Sequence, residues 1–291
     1  MRRSTKTSLA IGLLGAALAA ACDENPESSL RYGTIEVLTN APTAENDITT
    51  VDGWTIKVDK LLVHVSSIEV SGLDGILTAS AEGQIVDQVT PGPKLLLEAP
   101  ARLARPWELF TFTIGPATAD STVLESATEE DAAAMVAGGL SILLEATATR
   151  GGDTKKIRWG FTSETTYTDC EGDVGGARVK GMVVPVDGKD TAIIGMRGDA
   201  FFLDQLDGRG ALRFDPIAAA DADGNGEVTL DELGATDLEP VRTSGGYDVG
   251  DREDITTLRA FVETLTPNVF ASFRENGTCT VVSPSDEEDE D

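Results

Sequence analysis

Six oxygen-bearing residues recur at short intervals in the segment from 221 to 232. They occupy its first, third, fifth, seventh, ninth and twelfth positions: Asp221, Asp223, Asn225, Glu227, Thr229 and Glu232. Carboxylates this close repel one another unless a cation lies between them, and Ca²⁺ takes six to eight oxygen ligands at about 2.3–2.6 Å. The spacing therefore predicts a calcium site built from one short segment.

The first half of this segment would approach the ion through side chains. Asp221, Asp223 and Asn225 would each supply one oxygen, because alternate positions of a tight loop point to its inside. Gly226 permits the left-handed backbone that turns the chain around the ion.

The second half would close the site from the other side. Glu227 would contribute its backbone carbonyl, and Thr229 would ligate directly or through a water molecule. Glu232 would bind with both carboxylate oxygens from the first turn of a following helix. Val228 lies between these ligands and is expected to point into the core.

The pattern D-x-[DN]-x-[DN]-G with glutamate at the twelfth position resembles the EF-hand calcium loop. The resemblance covers about Asp215 to Leu238. Pro216 leaves an entering helix of little more than one turn, and Gly234 weakens the exiting helix. A calcium sensor needs a bistable pair of such loops, and the sequence holds no second loop in the same register. The resemblance therefore implies calcium that stabilises a fold.

The N-terminal residues predict export. A basic start is followed by an apolar run from Leu9 to about Ala21 and then by Cys22. This arrangement resembles a bacterial lipoprotein signal, residues 1–21, after which Cys22 would carry lipid and residues 22–32 would form a flexible tether. Leu18 lies one position earlier than usual in such signals, so ordinary cleavage that leaves Cys22 unmodified is the alternative.

If Cys22 is lipidated, two cysteines remain, Cys170 and Cys279. In an oxidising compartment they are expected to form one disulfide. A metal site is the weaker alternative, because the sequence has no Cys-x-x-Cys and only one histidine, His64.

The charge balance limits the possible partners. Fifty acidic residues against 23 basic ones give a formal net charge of −27, which repels nucleic-acid phosphates and anionic lipid headgroups. The same charge attracts divalent cations. Nucleic-acid binding is therefore not expected.

The hydrophobic pattern predicts a mainly β, β-sandwich-like fold with a C-terminal α-helical part that contains the single EF-hand loop. Strands alternate with Gly- and Pro-rich turns through residues 33–198, interrupted by one helix, Glu129 to Gly138, and including a hairpin of 177–186 with 191–196. Residues 199–282 would form a helical region packed on the β-rich domain, and the acidic tail 283–291 would be disordered. The predicted helices are 199–206, 215–220, 230–238 and 254–265, the last capped by Asp254.

Three short motifs are Arg105-Pro106-Trp107, Arg158-Trp159-Gly160-Phe161 and Leu212-Arg213-Phe214. On these motifs the whole mature chain resembles uncharacterised lipoproteins of myxobacteria and related bacteria. This resemblance implies a cell-envelope setting and no particular activity.

No catalytic site is predicted, because His64 has no G-x-S-x-G serine motif to accompany it. The sequence predicts a calcium-binding lipoprotein anchored in a membrane and facing the periplasm or the cell surface, with its protein or glycan partner unidentified. One alternative is a carboxylate-dependent enzyme acting on polysaccharide, for which exposed Trp54, Trp107 and Trp159 could stack on sugars, although core packing of the tryptophans is favoured. Another is a calcium-responsive adhesion module.

Overall fold

The structure, a computed structural model, describes residues 32–101, 103–274 and 276–282. The predicted signal 1–21, the lipidation site Cys22, the tether up to residue 31 and the acidic tail 283–291 lie outside the described residues. Among the helices within them, none is both long and apolar enough to cross a membrane.

Strands dominate the described residues. Strands β1 to β17 span Gly33–Asn40, Ile48–Thr49, Thr55–Ser71, Leu77–Asp87, Lys94–Ala101, Pro106–Trp107, Leu109–Ile114, Thr122–Val123, Ile142–Arg150, Asp153–Phe161, Thr165–Val174, Ala177–Lys180, Met182–Val183, Lys189–Met196, Glu227–Val228, Ala271–Phe273 and Thr278–Val282. Helices α1 to α5 span Glu129–Gly138, Asp215–Ala219, Leu230–Gly234, Leu238–Gly245 and Leu258–Val269, and a 3-10 helix spans Ala200–Phe202. The mainly β prediction is confirmed.

Most strands belong to two sheets. The larger sheet has the order β12-β11-β7-β3-β9-β10-β15, with β2, β4 and β17 paired to its strands and β8 paired to β4. The smaller sheet has the order β16-β14-β1-β5. Burial alternates along β1, so one face of that strand packs inward while the other is partly open to solvent.

One hydrophobic core joins the two sheets and the helices. It contains Val37 from the smaller sheet, Leu61 and Phe112 from the larger sheet, and Phe261 from α5. Such burial of large apolar side chains is the main favourable contribution to folding.

All three tryptophans are almost fully buried. Trp54 is 2% exposed, and Trp107 and Trp159 are 0% exposed. Core packing, which the sequence favours, is therefore confirmed, and none of the three rings presents an exposed face to a sugar.

Helix α1 has the predicted bounds. Thr128 caps its N-terminus through a reciprocal pair of hydrogen bonds with Asp131, and Gly139 ends it in the left-handed conformation with a φ of 59°.

The predicted hairpin of 177–186 with 191–196 is wrong. Strand β12 pairs with β11, whereas β14 pairs in parallel with β1 and antiparallel with β16. The alternating burial of β14 fits it to an inner position of the smaller sheet, which local turn signals could not reveal.

Three helix predictions in the C-terminal part need correction. The predicted helix 230–238 ends at Gly234, and a separate helix, α4, begins at Leu238. The predicted helix 199–206 is reduced to the 3-10 helix, because Leu203 forms a β-bridge with Leu212. Helix α5 is capped by Thr257, which accepts a hydrogen bond from the Ala260 N–H, while Asp254 pairs with Arg252. Strands β15, β16 and β17 also lie in this part of the chain, which was predicted to be helical.

The predicted disulfide between Cys170 and Cys279 is confirmed. It joins β11 to β17, two paired strands, across a sequence separation of 109 residues. A link closing so long a loop contributes roughly 4 kcal/mol in the chain-entropy model.

Candidate metal centre

Three carboxylates of the predicted calcium loop converge. Oxygens of Asp221, Asp223 and Glu232 all lie within 4.8 Å of one another. Oxygens bound to one Ca²⁺ at about 2.5 Å lie at most about 5 Å apart, so the three groups fit around a single ion of this size.

Asn225 lies beside this cluster and is held by it. Its side-chain amide donates to Asp223 Oδ2 at 2.9 Å, and its backbone N–H lies 3.0 Å from Asp223 Oδ1. Its own Oδ1 accepts from the Glu227 N–H at 2.6 Å, whereas the residue Glu227 is exposed. Asn225 therefore lies beside the carboxylates, whereas the contribution predicted from the Glu227 carbonyl stays a prediction.

Thr229 and Glu232 form a capping box at the start of α3. The Thr229 hydroxyl accepts from the Glu232 N–H at 3.2 Å, and Glu232 Oε2 accepts from both the Thr229 N–H and its hydroxyl at 2.9 Å. The two residues predicted to close the site are thus locked to each other by local hydrogen bonds.

The loop backbone takes the path that the glycine spacing indicates. Gly226 has a φ of 86°, a left-handed value that costs glycine little. Its N–H donates to Asp221 Oδ2 at 3.0 Å. Val228 is fully buried, as predicted.

The large sheet holds the second half of the loop. Strand β15 pairs in parallel with β10, with Glu227 opposite Lys156 and Val228 opposite Ile157. The Trp159 indole N–H donates to the Val228 carbonyl at 2.8 Å. The second half of the candidate loop is therefore held by pairing with β10 of the large sheet. In paired EF-hands, the strand of a second loop has this role.

The entering helix α2 is also tied to the sheet. Asp52, in the β2–β3 turn, accepts hydrogen bonds from the N–H groups of Phe214 and Asp215 at 2.8 and 2.7 Å. Asp215 in turn accepts from the Trp54 indole at 2.9 Å and pairs with Arg150. Hydrogen bonds to the large sheet and to its β2–β3 turn therefore hold both the helix before the candidate loop and the second half of the loop.

These contacts set the ionisation of Asp52. Burial works to raise the pKa of its carboxyl, but the Thr50 hydroxyl and the N–H groups of Asp215 and Phe214 outweigh that effect. The pKa of Asp52 consequently lies below its ordinary value.

A lysine that local sequence reasoning missed reaches the centre. Lys155 of β10 forms an ion pair with Asp221 Oδ2, and its side chain is 22% exposed, whereas the Asp221 side chain is fully covered. This hydrogen bond, the largest influence, and the Gly226 N–H hold the pKa of Asp221 below its ordinary value. Asp221 is thus ionised at neutral pH, as a calcium ligand must be.

Nothing in the segment 221–232 could have revealed Lys155, because 66 residues separate it from Asp221. Only the pairing of β10 with β15 brings the two together.

His64 is buried away from this centre. Its Nδ1 lies 2.8 Å from the Gly115 carbonyl, and its Nε2 lies 2.9 Å from the Ser121 hydroxyl. Burial lowers the pKa of the imidazole, which favours the neutral ring. His64 is therefore bonded to an interior carbonyl.

Comparison with known proteins identifies no family. No protein-family model matches the chain, and no curated protein matches it. A solved structure of MbnP from Methylosinus trichosporium is similar at 12% sequence identity with a TM-score of 0.32, covering 59% of this chain and 77% of that chain. A likeness this low carries no argument about fold or function. The resemblances to the EF-hand loop and to myxobacterial lipoproteins therefore stay predictions.

Proposed function

We propose that this protein binds one Ca²⁺ ion through the loop from Asp221 to Glu232. The observation that carries the proposal is the convergence of three loop carboxylates within 4.8 Å. The loop register that gave the sequence prediction supplies further oxygens from Asn225, Glu227 and Thr229.

The ion would act as a structural link. It would bind α2 and α3 to the edge of the large sheet, because its ligands come from both sides of β15 and that strand pairs with β10. Binding to the folded state alone stabilises that state by RT ln(1 + [Ca²⁺]/Kd). Extracellular calcium modules typically have Kd values of about 10⁻⁴–10⁻³ M, so the site would stay largely filled outside the cell.

We also propose that the protein is exported and anchored by lipid at Cys22, where it serves a binding or structural role. The Cys170–Cys279 disulfide supports an oxidising compartment. The burial of all three tryptophans argues against the polysaccharide-acting enzyme, because a sugar platform needs exposed rings. The adhesion alternative differs in one respect: chelation would abolish partner binding without unfolding the protein.

Calorimetric titration tests the calcium proposal. The purified chain, stripped with chelator, is expected to take up one Ca²⁺ per chain with a Kd in the millimolar range or below. An Asp223→Asn/Glu232→Gln double variant should lose this heat signal. Absence of calcium binding by the parent chain at millimolar concentrations would contradict the proposal.

A further inference from the structure

Three large apolar side chains stand exposed at the turn between β3 and β4. Leu73 is 74% exposed, Ile76 46% and Leu77 45%. Gly75 holds the turn with a φ of 75°. Large aliphatic side chains that stay exposed to water do not contribute to the stability of the fold. Their concentration within five residues therefore indicates a binding surface.

A chain of contacts connects this turn to the segment 183–187, which carries two more exposed apolar residues, Val183 and Val186. Arg105 pairs with Asp74 at 2.9 Å, and the Arg105 carbonyl accepts from the Val184 N–H at 3.2 Å. Further along the same segment, the Asp187 N–H donates to the Tyr32 carbonyl at 2.8 Å. The turn, the segment 183–187 and Tyr32 therefore form one continuous end of the molecule.

Six exposed apolar residues lie along this end, and together we call them the apolar tip: Tyr32, Leu73, Ile76, Leu77, Val183 and Val186. Only three other large apolar residues are exposed among the described residues: Val51, Leu95 and Val174. Isolated exposed apolar residues are ordinary, but this distribution is concentrated at one end.

The apolar tip carries little charge in a strongly acidic chain. The stretches 72–77 and 183–187 contain two acidic residues, Asp74 and Asp187. Arg105 neutralises Asp74, and its guanidinium lies 4.2 Å from the centre of the Trp107 ring. Insertion of this end into a lipid surface would therefore require the desolvation of few charges.

We propose that the apolar tip inserts into the interfacial layer of a membrane of neutral lipids. The chain enters the described fold at Tyr32, itself part of the tip. The predicted lipidation site Cys22 is separated from it by a tether of about ten residues, which reaches at most about 35 Å when extended. This step rests on the proposed export and anchoring, which would hold the tip near the bilayer.

The calcium loop lies toward the other end of the sheet. Ser71 ends β3 next to the apolar tip, whereas Val58, near the start of this 17-residue strand, pairs with Ala146 of β9. Ala146 pairs with Ile157, which lies opposite Val228 of the loop. Insertion of the tip would therefore leave the calcium loop facing away from the bilayer, and the two sites should act independently.

Co-sedimentation with phosphatidylcholine vesicles tests the proposal. The mature chain carrying Cys22→Ser isolates the tip from the lipid anchor and is expected to sediment with the vesicles. Replacing Leu73, Ile76 and Leu77 by serine should weaken the partitioning about tenfold or more, because the transferred apolar area is lost. The matched control, Val51→Ser with Leu95→Ser, removes exposed apolar residues elsewhere and should leave it unchanged.

Calcium titration and thermal unfolding of each variant distinguish this proposal from the calcium proposal. The serine variants should keep their folds and bind calcium as the parent does, since the replaced side chains are exposed. The membrane proposal is overturned if the parent stays in solution at every lipid concentration, or if the control variant weakens binding as much as the tip variant. It is also overturned if the tip mediates pairing of two chains in gel filtration without vesicle binding.

Discussion

The substitution Glu232→Gln separates the two roles of this side chain. As a helix cap, Glu232 accepts hydrogen bonds from Thr229 through Oε2, and a glutamine carbonyl can accept the same bonds. As a proposed calcium ligand, it contributes a negative charge that glutamine lacks. The variant should therefore fold normally without calcium but bind the ion about a hundredfold more weakly, equivalent to ~2.8 kcal/mol.

The thermal consequence follows from linkage. At free calcium of about 100 times the parent Kd, the parent gains ~2.7 kcal/mol. For a chain of this size each 1 kcal/mol shifts Tm by about 2–4 °C, so calcium should raise the parent Tm by roughly 5–11 °C. The variant at the same concentration would gain only ~0.4 kcal/mol, a shift of about 1–2 °C.

Differential scanning calorimetry with calcium and with chelator measures both quantities. Asp231→Asn is the matched control, because it removes the same charge from the neighbouring residue, whose side chain is 96% exposed and lies outside the ligand register. It should keep the full calcium-induced shift. The reasoning is refuted if the parent melts identically in calcium and chelator, or if Glu232→Gln keeps the parent's shift.

Three further outcomes are expected. Lys155→Met should tighten calcium binding about tenfold in calorimetric titration, because it removes a cation that competes at Asp221. Lys189→Met, which removes a lysine paired with Glu36 in the smaller sheet, should not, and equal affinities in all three proteins would disprove this competition. Removing the Cys170–Cys279 link by a double alanine substitution should lower the free energy of unfolding by roughly 4 kcal/mol in denaturant titration, and an unchanged midpoint would refute that contribution. Because folding lowers the pKa of Asp52, the stabilisation by its carboxylate is present above the ordinary pKa of ~3.9 and is lost as pH falls through the folded pKa. Asp52→Asn should therefore lower Tm at neutral pH and flatten the fall in Tm between about pH 5 and 3. A parallel fall of Tm in both proteins would refute the assignment.

The local parts of the structure were accessible from sequence because local chemistry determines them. The threonine before Glu129 and the glycines at 138 and 139 fix both ends of α1, since each satisfies backbone groups within a few residues. In the same way, the acidic register and Gly226 determine the course of the loop from Asp221 onward.

The pairing of strands that are distant in sequence could not be predicted, because the residues of a strand do not specify which other strand it pairs with. Strand β14 has a regular alternation that fits a hairpin as well as it fits its actual place beside β1. Strand β15 spans only two residues, and its pairing with β10 is what brings Lys155 to Asp221. The convergence of Asp221, Asp223 and Glu232 could therefore be predicted from spacing, whereas the lysine paired with Asp221 could be found only from the fold.

A crystal structure of the chain grown with calcium, with the ion located by its anomalous signal, tests the central claim most directly. One ion is expected among Asp221, Asp223, Asn225, Glu227, Thr229 and Glu232, with oxygen distances of about 2.3–2.6 Å and Lys155 moved away from Asp221. A loop without an ion at millimolar calcium, or an ion bound elsewhere while Asp221 keeps its contact with Lys155, would contradict it.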